Sequence, residues 1–274
     1  MTQTTALTPE QHNEFSRRGV LRLEGLLSPA SVSRARDFVL RRMEQLGLWK
    51  DGAWRLGGRP KPTYPDSGFK TSKVIGNRHP ELEALAGEPA LRAAVDALLG
   101  GRPFDRSLHP RPQLLFTLPN ADSWLLPNQW HADCPRLPSQ EMPGVQLFAC
   151  LDHVGPRGGA TLAVAGSHQL LNDGRHVGDK KLRQALSQDA FFRALWTAEP
   201  TPWASDQPLP HGSVDGVALE VIELTGAPGD GYLLDLRTLH SGAPNAADRP
   251  RMMITDRFVR ADLVGEIAAL YGWR

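Results

Sequence analysis

Cysteine is scarce. The 274-residue chain has two, Cys134 and Cys150, which excludes a small fold framed by disulfides. No apolar run approaches the ~18 residues of a membrane-spanning helix. The opening Met-Thr-Gln-Thr-Thr-Ala-Leu-Thr-Pro-Glu lacks the basic-then-apolar order of a secretory signal. A cytoplasmic protein with reduced thiols and no membrane partner is expected. Charge of one sign is missing too: Lys+Arg 31 against Asp+Glu 30 leaves a net charge of +1, with no basic block. Proteins that track nucleic-acid phosphates carry such an excess, so nucleic acid is not the expected partner. What the chain does hold is 26 Gly, 23 Pro, 7 Trp and 9 His. So many turn residues predict short elements joined at many corners, and the histidines leave room for a metal site.

The front of the chain reads as helical. Thr8-Pro9-Glu10-Gln11 offers a cap, a first-turn proline and a capping-box glutamine, and Ser28-Pro29 repeats the cap-plus-proline start. Val32, Ala35, Val39, Met43 and Leu46 then follow at helical spacing. A further helix is predicted from about Pro89 to Leu99, and Val20 to Leu23 alternates as a short strand. Between these helices, Trp49 to His79 reads as long loops. From Gln113 onward the pattern changes to short apolar or alternating runs at 113–117, 145–151, 161–164, 218–224, 231–235 and 252–259. Gly and Pro clusters bound most of them, which predicts an antiparallel sandwich or barrel. A helical interruption is expected over about 179–197.

Three segments carry the chemistry. In His131-Ala132-Asp133, residues two apart on an extended chain project from one face, so an imidazole and a carboxylate can converge on a point. The triplet alone equally fits a loop with two solvated side chains. A second histidine, His240, stands in Leu239-His240-Ser241-Gly242, where a strand is expected to give way to a turn, and Arg251 lies eleven residues further on. Two imidazoles and one carboxylate form a facial set with open positions, the arrangement of non-haem Fe(II) sites. An arginine several ångströms away suits an oxo-acid that chelates the metal at one end and carries a carboxylate at the other. The third segment, Gly158-Gly159-Ala160-Thr161 to Ala165-Gly166-Ser167-His168, carries a strand into a Gly-Ser-His turn.

Together with the N-terminal Leu-Thr-Pro-Glu-Gln and Gly-Leu-Leu-Ser stretches, these motifs resemble the phytanoyl-CoA dioxygenase family, in the same order and over most of the chain. The resemblance implies a mainly β fold with flanking helices, a double-stranded β-helix (jelly roll, cupin-like barrel). It implies one domain over 1–274, with a helical part to about 105, a core over about 110–262 and an insert over about 170–217. It also implies an Fe(II)- and 2-oxoglutarate-dependent dioxygenase that consumes O2 and releases succinate and CO2. By the same resemblance His131, Asp133 and His240 bind Fe(II), and Arg251 holds the far carboxylate of 2-oxoglutarate. Retention of Asp133 favours hydroxylation over halogenation, which needs that position vacated. Two departures stand out. Ala165 replaces the usual proline of the turn, and Gly242 occupies a position where a serine often touches the cosubstrate, with Ser241 beside it.

Secondary candidates complete the expected site. Gln113, Thr161 and Ser241 are candidate contacts of 2-oxoglutarate. Trp130, Trp124, Lys73 and Arg136 are candidates for the substrate pocket. Core packing is the commoner use of tryptophan, and a solvated surface the commoner place for lysine and arginine. His168 reads as a turn residue. The substrate is expected to be a small organic metabolite. Two functions compete with this reading: a Zn-dependent hydrolase, which would use the same ligands but has no use for Arg251, and a non-catalytic jelly-roll binding module with a degenerate site.

Overall fold

In the computed structural model, which describes residues 7–71, 75, 79–108, 111–197, 199–204 and 206–271, two antiparallel sheets face each other. Helices cover the outer side of each. The first helix, Pro9–Arg18, starts on the capping box its sequence announced: Thr8 Oγ1 accepts from Gln11 N–H, and Thr8 N–H donates to Gln11 Oε1 at 2.8 Å. It stops at Gly19, whose φ of 65° is left-handed and whose missing Cβ leaves space that His168 fills. Helices Pro29–Gln45 and Pro89–Leu98 also fall where periodicity placed them. Helix Pro80–Ala86 was not anticipated. With 7 residues it is too short to display a period, yet it buries Leu82 and Leu85.

The strands in chain order are β1 (Val20–Leu23), β2 (Trp49–Lys50), β3 (Ala53–Trp54), β4 (Phe104–Asp105), β5 (Gln113–Thr117), β6 (Leu125–Leu126) and β7 (Gly144–Cys150). They continue as β8 (Thr161–Ala165), β9 (Thr201–Pro202), β10 (His211–Val214), β11 (Val217–Glu223), β12 (Gly231–Asp235), β13 (His240–Gly242) and β14 (Arg251–Arg260). The major sheet runs β1-β12-β7-β14-β4, with β5 also paired to β14; the minor sheet runs β10-β11-β8-β13. Strands before and after the central insert therefore pair within the same sheets. The insert carries two helices rather than one, Asp179–Leu186 and Ala190–Leu195. Asp189 caps the second through Phe191 N–H at 2.7 Å.

Alternation along the strands sorts the core into layers. Val145, Leu147, Ala149, Met252 and Ile254 face outward, against the N-terminal helices. Phe148, Cys150, Met253, Ala163 and Leu234 face inward, between the sheets. Leu162, Val164, Leu219 and Val221 face the insert helices. This is a jelly roll with helices on both outer faces.

Candidate metal centre

A loop and the start of strand β13 bring the ligands together. His131 and His240 lie opposite each other in an antiparallel bridge and exchange both backbone hydrogen bonds, His131 N–H to His240 O at 3.0 Å and His240 N–H to His131 O at 2.8 Å. Their ring centroids are 4.4 Å apart. Asp133 joins them two residues along, its backbone N–H donating to Leu236 O at 3.2 Å. Its Oδ2 sits 3.7 Å from His240 Nε2, and one ligand atom from each of the three residues lies within 4.8 Å of the others. His240 opens β13 instead of closing a strand. The turn at 236–239 precedes it and delivers the ring to the inner face.

Each imidazole is already oriented. His131 Nδ1 lies 3.1 Å from Gln129 O and His240 Nδ1 lies 3.1 Å from Thr238 O. A carbonyl only accepts, so Nδ1 carries the proton in both rings and Nε2 is the free lone pair. Burial pushes the His240 pKa down to about 4, against the pull of Asp133, so the ring is neutral near pH 7. Burial alone would raise the Asp133 carboxyl, but His240, Arg257 and His131 outweigh it and hold the group below its ordinary value. Two imidazole nitrogens and one carboxylate suit a borderline divalent ion.

Arg251 supplies the second half of the site. It opens β14 opposite Thr117 of β5, and its Nη2 donates to Thr117 Oγ1 at 2.8 Å. The guanidinium is buried, has no carboxylate partner among the described residues, and its Nε has no hydrogen bond. Burial depresses its pKa to about 10. An uncompensated buried cation is costly unless an anion joins it. Arg251, Thr117 and His131 line one cavity of about 350 Å³, into which such an anion fits. The donor set thus fits both a metal ion and the distal carboxylate of an oxo-acid.

Several candidates lie elsewhere. Arg136 is 0% exposed and its guanidinium is committed to backbone carbonyls: Nε donates to Leu170 O, Nη1 to Arg237 O and Nη2 to Ser167 O. It braces the ligand-bearing loop against the Gly-Ser-His turn. Trp130 and Trp124 are buried in the cluster beneath the insert helices; Trp130 Nε1 donates to Pro127 O at 2.8 Å, and Arg157 stacks on Trp124 at 4.1 Å. Lys73 lies outside the described residues. Gln113 opens β5 on the same face as Arg251, but it is exposed, four residues along the strand from Thr117. Thr161 is buried on the inner face, two residues before Ala163, the register partner of His240. Ser241 borders the cavity, yet its register partner is Leu162, which faces the insert, so alternation turns its hydroxyl away from the face His240 uses. His168 acts structurally, its Nε2 donating to Ser16 O at 3.0 Å.

Sequence reasoning missed Thr117, which aligns Arg251, and Arg257. Arg257 Nε and Nη2 both contact Asp133 Oδ2, at 2.7 and 2.6 Å. The signal was present in the sequence: Arg257 is six residues past Arg251 on one strand, and an even spacing puts both on the same face.

Taken together, fold and site define the class of non-haem iron and 2-oxoglutarate-dependent oxygenases. The chain belongs to the phytanoyl-CoA dioxygenase family, whose model matches residues 15–253. No curated sequence matches the chain. Among solved structures it is similar to the non-haem 2-oxoglutarate-dependent carbocyclase SnoK from nogalamycin biosynthesis, with 19% identity over 95% of this chain and 87% of that one, and a TM-score of 0.58. It is also similar to EctD from S. alaskensis with 2-oxoglutarate and 5-hydroxyectoine, with 16% identity, coverages of 96% and 79%, and a TM-score of 0.55. HygX from Streptomyces hygroscopicus, with nickel and 2-oxoglutarate bound, gives 19% identity, coverages of 94% and 88%, and a TM-score of 0.54. At these identities the likeness is one of fold.

Proposed function

We propose that this protein oxidises an unactivated C–H bond of a small organic metabolite, most simply by hydroxylation, with release of succinate and CO2. The observation that carries this reading is Arg251: a buried cation with no carboxylate partner among the described residues, opening on the same cavity as His131. A hydrolase needs no such group. His131, Asp133 and His240 would hold Fe(II) through two Nε2 atoms and a carboxylate. Arg251, aligned by Thr117 Oγ1, would bind the far carboxylate of 2-oxoglutarate with charge-assisted hydrogen bonds. Bound iron would supply O2 activation coupled to oxidative decarboxylation of the cosubstrate.

The chain's own residues provide position and dryness. The tethers at Gln129 O and Thr238 O keep both rings aimed before any ion arrives. Packing around His240 excludes water from one side of the centre. The solved structures with 2-oxoglutarate bound support the cosubstrate, and SnoK, from nogalamycin biosynthesis, supports a metabolite as substrate. Two free, buried cysteines accord with a cytoplasmic setting, and no helix among the described residues is long and apolar enough to cross a membrane.

The test is anaerobic reconstitution. Adding Fe(II) and 2-oxoglutarate should give a visible charge-transfer band, and His131→Ala or Asp133→Ala should abolish it. An unchanged spectrum in both variants would sink the assignment.

A further inference from the structure

We infer that Tyr64 is the latch of a strap, residues 64–67, that governs passage of the oxo-acid into and out of the metal cavity. The inference rests on the oxygenase reading and adds to it the way by which the cosubstrate reaches Arg251.

The strap belongs to the long loops that follow β3, and loops of such length usually carry function. Tyr64, Pro65 and Ser67 line the cavity that holds His131 and Arg251, whereas Asp66 among them is exposed. The stretch therefore stands between the cavity and solvent. Its two flanks are held very differently. On the β5 side, Tyr64 N–H donates to Asn120 O at 3.0 Å, Leu118 N–H to Ser67 O at 3.2 Å, and Asn120 Nδ2 to Asp66 O at 2.8 Å. Asn120 is buried and itself fixed, its Oδ1 accepting from Asn245 N–H at 2.7 Å. Just beyond the strap, the Phe69 ring packs on Phe116 of β5 with centroids 4.8 Å apart.

Toward β13, the opposite wall, a single hydrogen bond crosses among the described residues: Tyr64 Oη donates to Gly242 O at 3.0 Å. Gly242 closes the strand that His240 opens, and a Cβ there would meet nothing within 4 Å, so the space beside the contact is open. One such bond shifts an equilibrium by about three- to tenfold. Three bonds and a ring contact hold the other flank together. The strap therefore parts from β13 before it parts from β5, and that parting opens the cavity. Burial pushes the Tyr64 pKa up to about 12, so the phenol keeps the proton it donates. Its acceptor is a backbone carbonyl of this chain, so the latch opposes opening in the filled and the empty site alike.

That symmetry gives a kinetic signature. Anaerobic stopped-flow mixing of Fe(II)-loaded protein with 2-oxoglutarate reads the entry rate from the rise of the charge-transfer band. Release of isotopically labelled 2-oxoglutarate into excess unlabelled compound reads the exit rate. Tyr64→Phe keeps the ring and drops the latch. Entry and exit should both quicken, by about three- to tenfold, with Kd held within about twofold. An unchanged entry rate overturns the inference. With a faster exit and a weaker Kd, it would make Tyr64 a direct contact of the oxo-acid; with an unchanged exit, it would leave the bond no part in passage. Failure of the wild type to form the band would instead overturn the oxygenase reading, and this inference with it.

Discussion

His131 and His240 are 109 positions apart in sequence, and they face each other as a doubly hydrogen-bonded pair with bonds of 3.0 and 2.8 Å. Directly opposed residues of an antiparallel pair project to the same side. The backbone itself thus sets the separation of two metal ligands, and each ring needs only one carbonyl to fix its rotation. Asp133 reaches the same face because it lies two residues from His131.

Metal binding should depend on this pairing. At a free metal concentration one hundred times Kd, stabilisation should be about 2.7 kcal/mol. In His240→Ala the rise in unfolding temperature on adding Ni(II) or Zn(II) should vanish, while the metal-free protein still folds cooperatively. Differential scanning fluorimetry with and without chelator measures both.

Arg257 holds one oxygen of Asp133 through two donors. Arg257→Gln should weaken metal binding by about 10–100-fold, the usual effect of losing a group that orients a ligand. Arg257→Lys should recover part of the loss. Competition against a chromogenic chelator would show it, and an unaltered Kd in Arg257→Gln would assign the pair to folding alone.

Arg251→Gln should raise the KM for 2-oxoglutarate by about a hundredfold, since a charge-assisted contact is lost. Metal affinity should stay the same. Isothermal titration of metal and then cosubstrate separates the two effects.

Arg136 should prove structural. Arg136→Met strands the carbonyls of Leu170, Arg237 and Ser167 in a dry interior. The expected loss is about 3 kcal/mol in urea unfolding. Substrate selectivity should not change in whatever protein remains folded.

Glu223 gives a pH signature. Burial raises its pKa from 4.5 to about 7, opposed by the Arg157 backbone N–H that its Oε1 accepts at 2.8 Å. A carboxyl whose folded pKa is raised contributes stability below its unfolded value and loses it as pH climbs through the folded one. Wild type should therefore weaken between about pH 4.5 and 7 relative to Glu223→Gln, which keeps the acceptor and cannot ionise. The gap at pH 8 should be about 1 kcal/mol, discounted for partial exposure. Equal slopes of unfolding free energy against pH would refute it.

Much of this protein was legible before any coordinates. Capping chemistry is local, so Thr8-Pro9 and Ser28-Pro29 announced their helices. Period-two patterns announced the strands, because alternation follows from the pleat alone. His131-x-Asp133 was visible for the same reason, as a pair two residues apart on an extended chain. Arg257 was readable from its even offset to Arg251 and was overlooked.

The tertiary structure decided the rest. Whether Arg136, Trp124 and Trp130 face a pocket or the core depends on which layer covers them, and no local pattern records that. The insert helices bury both tryptophans, and the Gly-Ser-His turn claims the arginine. Ser241 was turned aside by a register set from the neighbouring strand, through Leu162. The scarcity of cysteine noted at the outset is matched by the structure, in which Cys134 and Cys150 are both buried and free, so no disulfide holds this fold. Which few charges remain uncommitted at the centre is a property of long-range contacts, and only the folded chain brings those together.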